Sequence, residues 1–151
     1  MISMNYDSTT GFDKLCDTIL GINGNIQSVS IINKHGRAVE YKVQGSTNFQ
    51  APEQKNEMFF MQCALTISMG RDFDEDFGEI GYIHTNRKNL SMFSFPLFDN
   101  IILVTSKAAI GPISLARKIS VIIKRHRLQH LAAFEKNIQH DSAESVIQLR
   151  A

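Results

Sequence analysis

His126 and His130 stand at i and i+4, a spacing that brings two imidazoles to one face of a helix, where they could hold a metal. No Glu adjoins His126 as the H-E-x-x-H pattern requires, and no third ligand is near in sequence, so solvated imidazoles are expected. Asp72, Asp74 and Asp76 begin like a calcium loop, in which alternating side-chain oxygens surround the ion. The pattern then fails, because Phe77 occupies the glycine position and Ile83 the place of the closing glutamate. With Glu75 and Glu79, this stretch reads as a solvated acidic turn or an acidic contact for a partner. Cys16 and Cys63 are the two cysteines, unpaired in spacing and set in apolar segments, and they read as small buried hydrophobes. There is no G-x-S-x-G elbow, phosphate-cradling G-x-x-x-x-G-K-[ST] or G-x-G-x-x-G, and Gly21-Ile22-Asn23-Gly24 is a turn. Neither catalysis nor a cofactor is expected.

Charge offers one further candidate. Arg117, Lys118, Lys124, Arg125 and Arg127 cluster late in the chain, and near a helix C-terminus they would compensate its dipole. Contact with phosphate is the sharper alternative. No stacking aromatic is interleaved from Ala116 to Gln129, and 16 basic against 15 acidic residues leave a net charge of +1. A domain-wide basic footprint is therefore missing, and nucleic acid is not the expected partner.

The chain has 151 residues, enough for one compact domain, and its 43% hydrophobic and 21% charged residues exclude wholesale disorder. Its strongest apolar block, Ile101-Ile102-Leu103-Val104, is far short of the roughly 20 residues that span a bilayer, so no membrane insertion is expected. Met1 to Phe12 carry no basic start and no apolar core, so no signal peptide is expected and the cytoplasm is the default location.

The elements follow from periodicity. Phe12, Leu15, Cys16, Ile19 and Leu20 recur at helical spacing after the potential caps Ser8, Thr9 and Thr10. The β-branched run Ile26 to Ile32, the turn Asn33-Lys34-His35-Gly36 and the run Ala38 to Val43 predict a hairpin. Pro52 and Glu53 suit the first turn of a second helix that ends at Gly70. Strands are predicted at Glu79 to His84, Leu90 to Phe95 and Ile101 to Ser106, the last central in the sheet, with Pro96 at a strand end or edge. Gly111-Pro112 opens a long final helix. The order α-β-β-α-β-β-β-α predicts an α+β domain with a five-stranded antiparallel sheet and flanking helices.

Two helices have more apolar surface than one sheet can cover. Phe59, Phe60, Cys63, Ala64 and Ile67 form one face of the second helix, while Met58, Met61, Leu65 and Met69 form a stripe on nearly the opposite side. A second, Met-rich face implies burial against something else, by another helix of the chain or by a partner surface. In the final helix, Ile113, Ala116, Ile119, Ile122 and Ile123 form one stripe. Leu128, Leu131, Phe134 and Ile138 form another, rotated by about 120°. The chain therefore divides into a domain over 1–125 and an extension over 126–151, expected to bend back or bind another surface and to fray beyond Asp141.

Phe12-Asp13-Lys14-Leu15 leading the first helix and Ile31-Ile32-Asn33-Lys34-His35-Gly36-Arg37 at the hairpin, in this element order, resemble the roadblock/LC7 family. The likeness spans roughly residues 8 to 125; profilin and longin folds share the shape, although longins begin with strands. Gly81-Tyr82-Ile83-His84 through Asn89 to Pro96 also resembles a group of small archaeal proteins with no known activity. The first resemblance implies a non-catalytic adaptor or regulatory subunit that forms a homodimer through the second helix. It also implies a partner such as a small Ras-like GTPase or another component of an archaeal signalling or trafficking system. Met58, Met61, Leu65, Met69, Leu128, Leu131, Phe134 and Ile138 are the expected interface residues. A nucleic-acid regulator using the basic final helix and a small-molecule sensor with a pocket between sheet and helix are the alternatives.

Overall fold

The two β-branched runs form strands where alternation places them, β1 (Ile26–Ile32) and β2 (Ala38–Val43), paired antiparallel in the computed structural model of the chain. The structure describes residues 11–45, 53–108 and 111–150. The turn closes on itself: Asn33 Oδ1 accepts hydrogen bonds from the backbone N–H groups of His35 and Arg37. The remaining strands are β3 (Ile83–Asn86), β4 (Ser91–Leu97) and β5 (Asn100–Ser106), in the spatial order β2-β1-β5-β4-β3. Neighbours pair antiparallel throughout, and β5, the most continuously apolar run, is central as expected.

Strand alternation divides the sheet into two faces. Val29, Ile31, Phe93, Phe95, Ile102 and Val104 pack with Phe12, Cys16 and Ile19 of α1 (Phe12–Leu20) and with Leu115, Ala116 and Ile119 of α4 (Pro112–Arg150). On the opposite face Ile101 packs with Ala64 and Ile67 of α2 (Glu53–Gly70), flanked by Ile80 and Ile83. The two cysteines lie in α1 and α2, helices on opposite sides of the sheet, and both are free thiols.

Four expectations need correction. Gly11, at φ 83°, is the N-cap of α1 with no side-chain cap, rather than Ser8, Thr9 or Thr10; those three residues and Pro52 lie outside the described residues. The acidic stretch is helical: a 3-10 turn (Arg71–Phe73) runs into α3 (Asp74–Phe77), whose first turn carries Asp74, Glu75 and Asp76, where a helix dipole favours carboxylates. The third strand starts at Ile83, not Glu79. Its register sets Ile83 opposite Ser94, so continuing the ladder would bring Gly81 opposite Pro96, which has no N–H to donate. Finally, α4 neither bends back nor frays beyond Asp141; it runs unbroken to Arg150.

One close approach sets the position of α2. Gly36 sits in the hairpin turn at φ 76°, and a Cβ there would lie 2.8 Å from Met61 Cα and 3.0 Å from its backbone nitrogen. Gly36→Ala is therefore expected to combine left-handed strain with overpacking, at about 2–4 kcal/mol. Gly45→Ala, at φ 66° with open space around the added methyl, isolates the positive-φ strain. Chemical denaturation compares them, and equal losses would show that the hairpin does not brace α2.

Candidate functional site

Along α2 the inward residues alternate with an outward row at steps of three and four. Ala64 and Ile67 are buried, and Phe59, Phe60 and Cys63 are half-buried beside them. Met58, Leu65 and Met69 are 74%, 52% and 66% exposed, and Met61, braced at its backbone by Gly36, is also exposed. Neither α1 nor α4 covers this row, since both pack on the other face of the sheet. The four side chains line a shallow depression of about 600 Å³ with Glu57, Gln62 and Thr66. A hollow of about 810 Å³ adjoins it, between Phe59 and the β3–β4 turn, reaching Leu90, Met92, Arg87 and Lys88.

Two further exposed apolar side chains follow Met69, the last residue of the stripe expected from periodicity. Phe73 and Phe77 are both exposed, with rings 6.2 Å apart. They extend the four-residue step of Met61, Leu65 and Met69, a signal present in the sequence but masked by the intervening carboxylates.

On α4, Leu128, Leu131, Phe134 and Ile138 are each about half exposed. The helix beneath them is not detached from the domain. His126 lies against Phe12, with ring centroids 6.0 Å apart, and His130 lies 5.1 Å from the Phe98 ring. Arg127 donates to the Pro96 carbonyl and its guanidinium stands 6.0 Å from the centre of the Phe98 ring. Arg71 donates to the Phe98 carbonyl from the opposite side, at 2.8 Å. Two arginines thus hold the β4–β5 turn, where Phe98 has φ 53°.

These contacts revise the reading of the basic residues and histidines. These arginines and lysines sit in the first half of a 39-residue helix, too far from its C-terminal end to compensate a dipole that acts over one turn. Arg127 is a structural clamp. Arg117 and Lys124 lie on one side of α4, Lys118 and Arg125 on another, so they do not form one stripe. The histidines are packing residues rather than solvated ones. Among the described residues one triple has metal-ligating geometry, His140, Asp141 and Glu144, all exposed on α4, with His140 Nδ1 3.2 Å from Glu144.

Burial shapes the titration of the inner groups. It pushes the Cys16 thiol up to about 12, with Glu40 adding to the effect, and raises Cys63 as well, so neither is an activated nucleophile. Burial pushes His126 below its usual 6.5, and His130 adds to that push. Its Nε2 is buried without a hydrogen-bond partner. The unfolded chain then binds the proton more readily, so stability holds above pH 6.5 and declines as pH falls towards the lower folded value. The melting temperature is expected to drop between pH 7.5 and 5.5, and His126→Gln should flatten that slope. An equal slope in the variant would remove His126 as its cause.

A five-stranded antiparallel sheet of this order, with α1 and α4 on one face and α2 on the other, is the fold of the Roadblock/LC7 domain. The Roadblock/LC7 domain from Streptomyces avermitilis superposes with a TM-score of 0.60 at 11% identity, covering 79% of this chain and 97% of that one. The gliding protein MglB from Thermus thermophilus gives 0.58 at 11% identity, covering 77% and 87%. An MglB with a tetrameric arrangement gives 0.58 at 9% identity, covering 78% and 88%. No protein-family model and no curated protein sequence matches the chain.

Proposed function

We propose that the protein is a non-catalytic adaptor or regulatory subunit that dimerises through the outer face of α2. The observation that carries this reading is the exposed row Met58, Met61, Leu65 and Met69 on a helix whose other face already covers the sheet. Flexible, polarisable Met side chains suit a surface that must adapt to a partner. The roadblock fold and the tetrameric arrangement of one MglB support assembly. By the same resemblance, the protein served is a small Ras-like GTPase or another component of an archaeal signalling or trafficking system in the cytoplasm. Residues 126–151 form the extension that offers the second surface, Leu128, Leu131, Phe134 and Ile138, with its root packed on Phe12 and Phe98. Among the described residues no helix is long and apolar enough to cross a membrane.

Sedimentation equilibrium at tens of micromolar tests the reading: the mass should be at least twice 17.0 kDa. A monomer at that concentration would overturn it. The hollow between Phe59, Leu90 and Met92 favours one second reading, a small-molecule sensor, with Arg87 and Lys88 suited to an anionic ligand. Native mass spectrometry showing a bound small molecule would favour that reading over the adaptor.

A further inference from the structure

The outer face of α4 has a regularity that the packed face does not. Val121, Lys124, Leu128, Leu131, Glu135 and Ile138 follow one another at steps of three, four, three, four and three residues, and all six are exposed. That alternation is the a/d seam of a coiled coil, with a period of 3.5. The sheet and α1 contact α4 through Leu115, Ala116, Ile119 and Ile123, while Leu131 borders a hollow beside Pro96 and Phe98 and is still 48% exposed. Beyond Leu131 every residue described to Gln148 is exposed. Helices draw most of their stability from an amphipathic face packed on another surface, so a mating surface would stabilise this exposed arm.

We propose that this seam pairs antiparallel with the same seam of a second copy, centred between Gln129 and His130. Antiparallel coiled coils set a positions against d positions, and a two-fold axis at this centre does so at every layer. Leu128 meets Leu131 of the second copy, and Val121 meets Ile138. The two charged seam positions, Lys124 and Glu135, lie equally far from the centre and carry opposite signs, so each lysine meets a glutamate. One step of four further out Arg117 meets Ser142, and a second such step sets Ile113 against Val146, both exposed in the single chain. A parallel pair would place Lys124 beside Lys124 and Glu135 beside Glu135. A different protein would not require the seam to mirror itself about one point. The self-complementarity therefore selects a second copy as occupant. Because α2 and α4 lie on opposite faces of the sheet, this contact is separate from the α2 dimer and rests on no part of that reading. With both contacts made about perpendicular two-fold axes, the assembly closes as a tetramer.

Sedimentation equilibrium of the full chain separates the two contacts. The unmodified protein should reach four times 17.0 kDa. Leu128→Asp, an exposed position whose change should leave the circular dichroism spectrum intact, should halve that mass, as should Leu65→Asp; the two together should give monomers. Lys124→Glu alone should weaken α4 pairing about tenfold, as lysine–glutamate attraction becomes repulsion at two symmetric places. Adding Glu135→Lys should restore it, although the two positions are three turns apart and do not meet within one helix. Monomeric Leu65→Asp protein would overturn α4 pairing and leave the α2 reading standing. Undiminished mass in Leu128→Asp would overturn the pairing too, and a double charge swap no better than the single one would overturn the register. Undiminished mass in Leu65→Asp counts against α2 alone.

Discussion

Leu65→Asp is expected to halve the sedimenting mass while leaving the fold intact. In the isolated chain Leu65 is 52% exposed, so a carboxylate there keeps its water and costs the monomer little. In the proposed α2 contact the same carboxylate would be enclosed by Met58, Met61 and Met69 of two facing rows. An uncompensated buried charge costs about 3–5 kcal/mol, more than two orders of magnitude in the association constant. Leu65→Met keeps the apolar surface and should retain the mass, so the pair distinguishes lost burial from an altered helix. A halved mass in both variants, or in neither, would refute the role given to this face.

Shortening α4 at two places is expected to give opposite results. A chain ending at Ala133 removes residues that are exposed in the single protomer as far as Gln148, Glu135 and Ile138 of the outer seam among them. It should melt close to the full chain and lose α4 pairing. A chain ending at Lys124 also loses the contact of His126 with Phe12, the Arg127 bond to Pro96 and the His130 contact with Phe98. Its β4–β5 turn would be held by Arg71 alone, and about 2–4 kcal/mol of stability should go with the lost packing and hydrogen bond. Similar melting temperatures for both shortened chains would show that the domain does end near residue 125. Loss of folding at Ala133 would show instead that the exposed arm belongs to the core.

Much of this architecture was legible because it is local. The hairpin ends at Ile32 and Ala38 because β-branched runs and an Asn-to-Gly turn act over neighbouring residues. The central place of β5 follows from apolarity on both of its faces. The two faces of α2 follow from the angle between successive side chains, which needs no knowledge of what either face meets. The exposed seam of α4 is equally periodic, but its symmetric centre becomes meaningful only once the helix is known to run unbroken from Pro112 to Arg150.

The rest was decided by partners distant in sequence. The late start of β3 depends on Pro96, which the register brings opposite the position where Gly81 would pair. His126, Arg127 and His130 read as solvated or dipole-compensating groups while their helix end and their neighbours were unknown. Folding carries Phe12, Pro96 and Phe98 to them and makes them the seam between α1, α4 and the β4–β5 turn. Sequence by itself determined the elements and which helix faces are apolar, since both depend on backbone period and side-chain type. Only the tertiary structure decided which of those faces the sheet covers and which remain exposed, because burial belongs to pairs of surfaces that meet after the chain has closed.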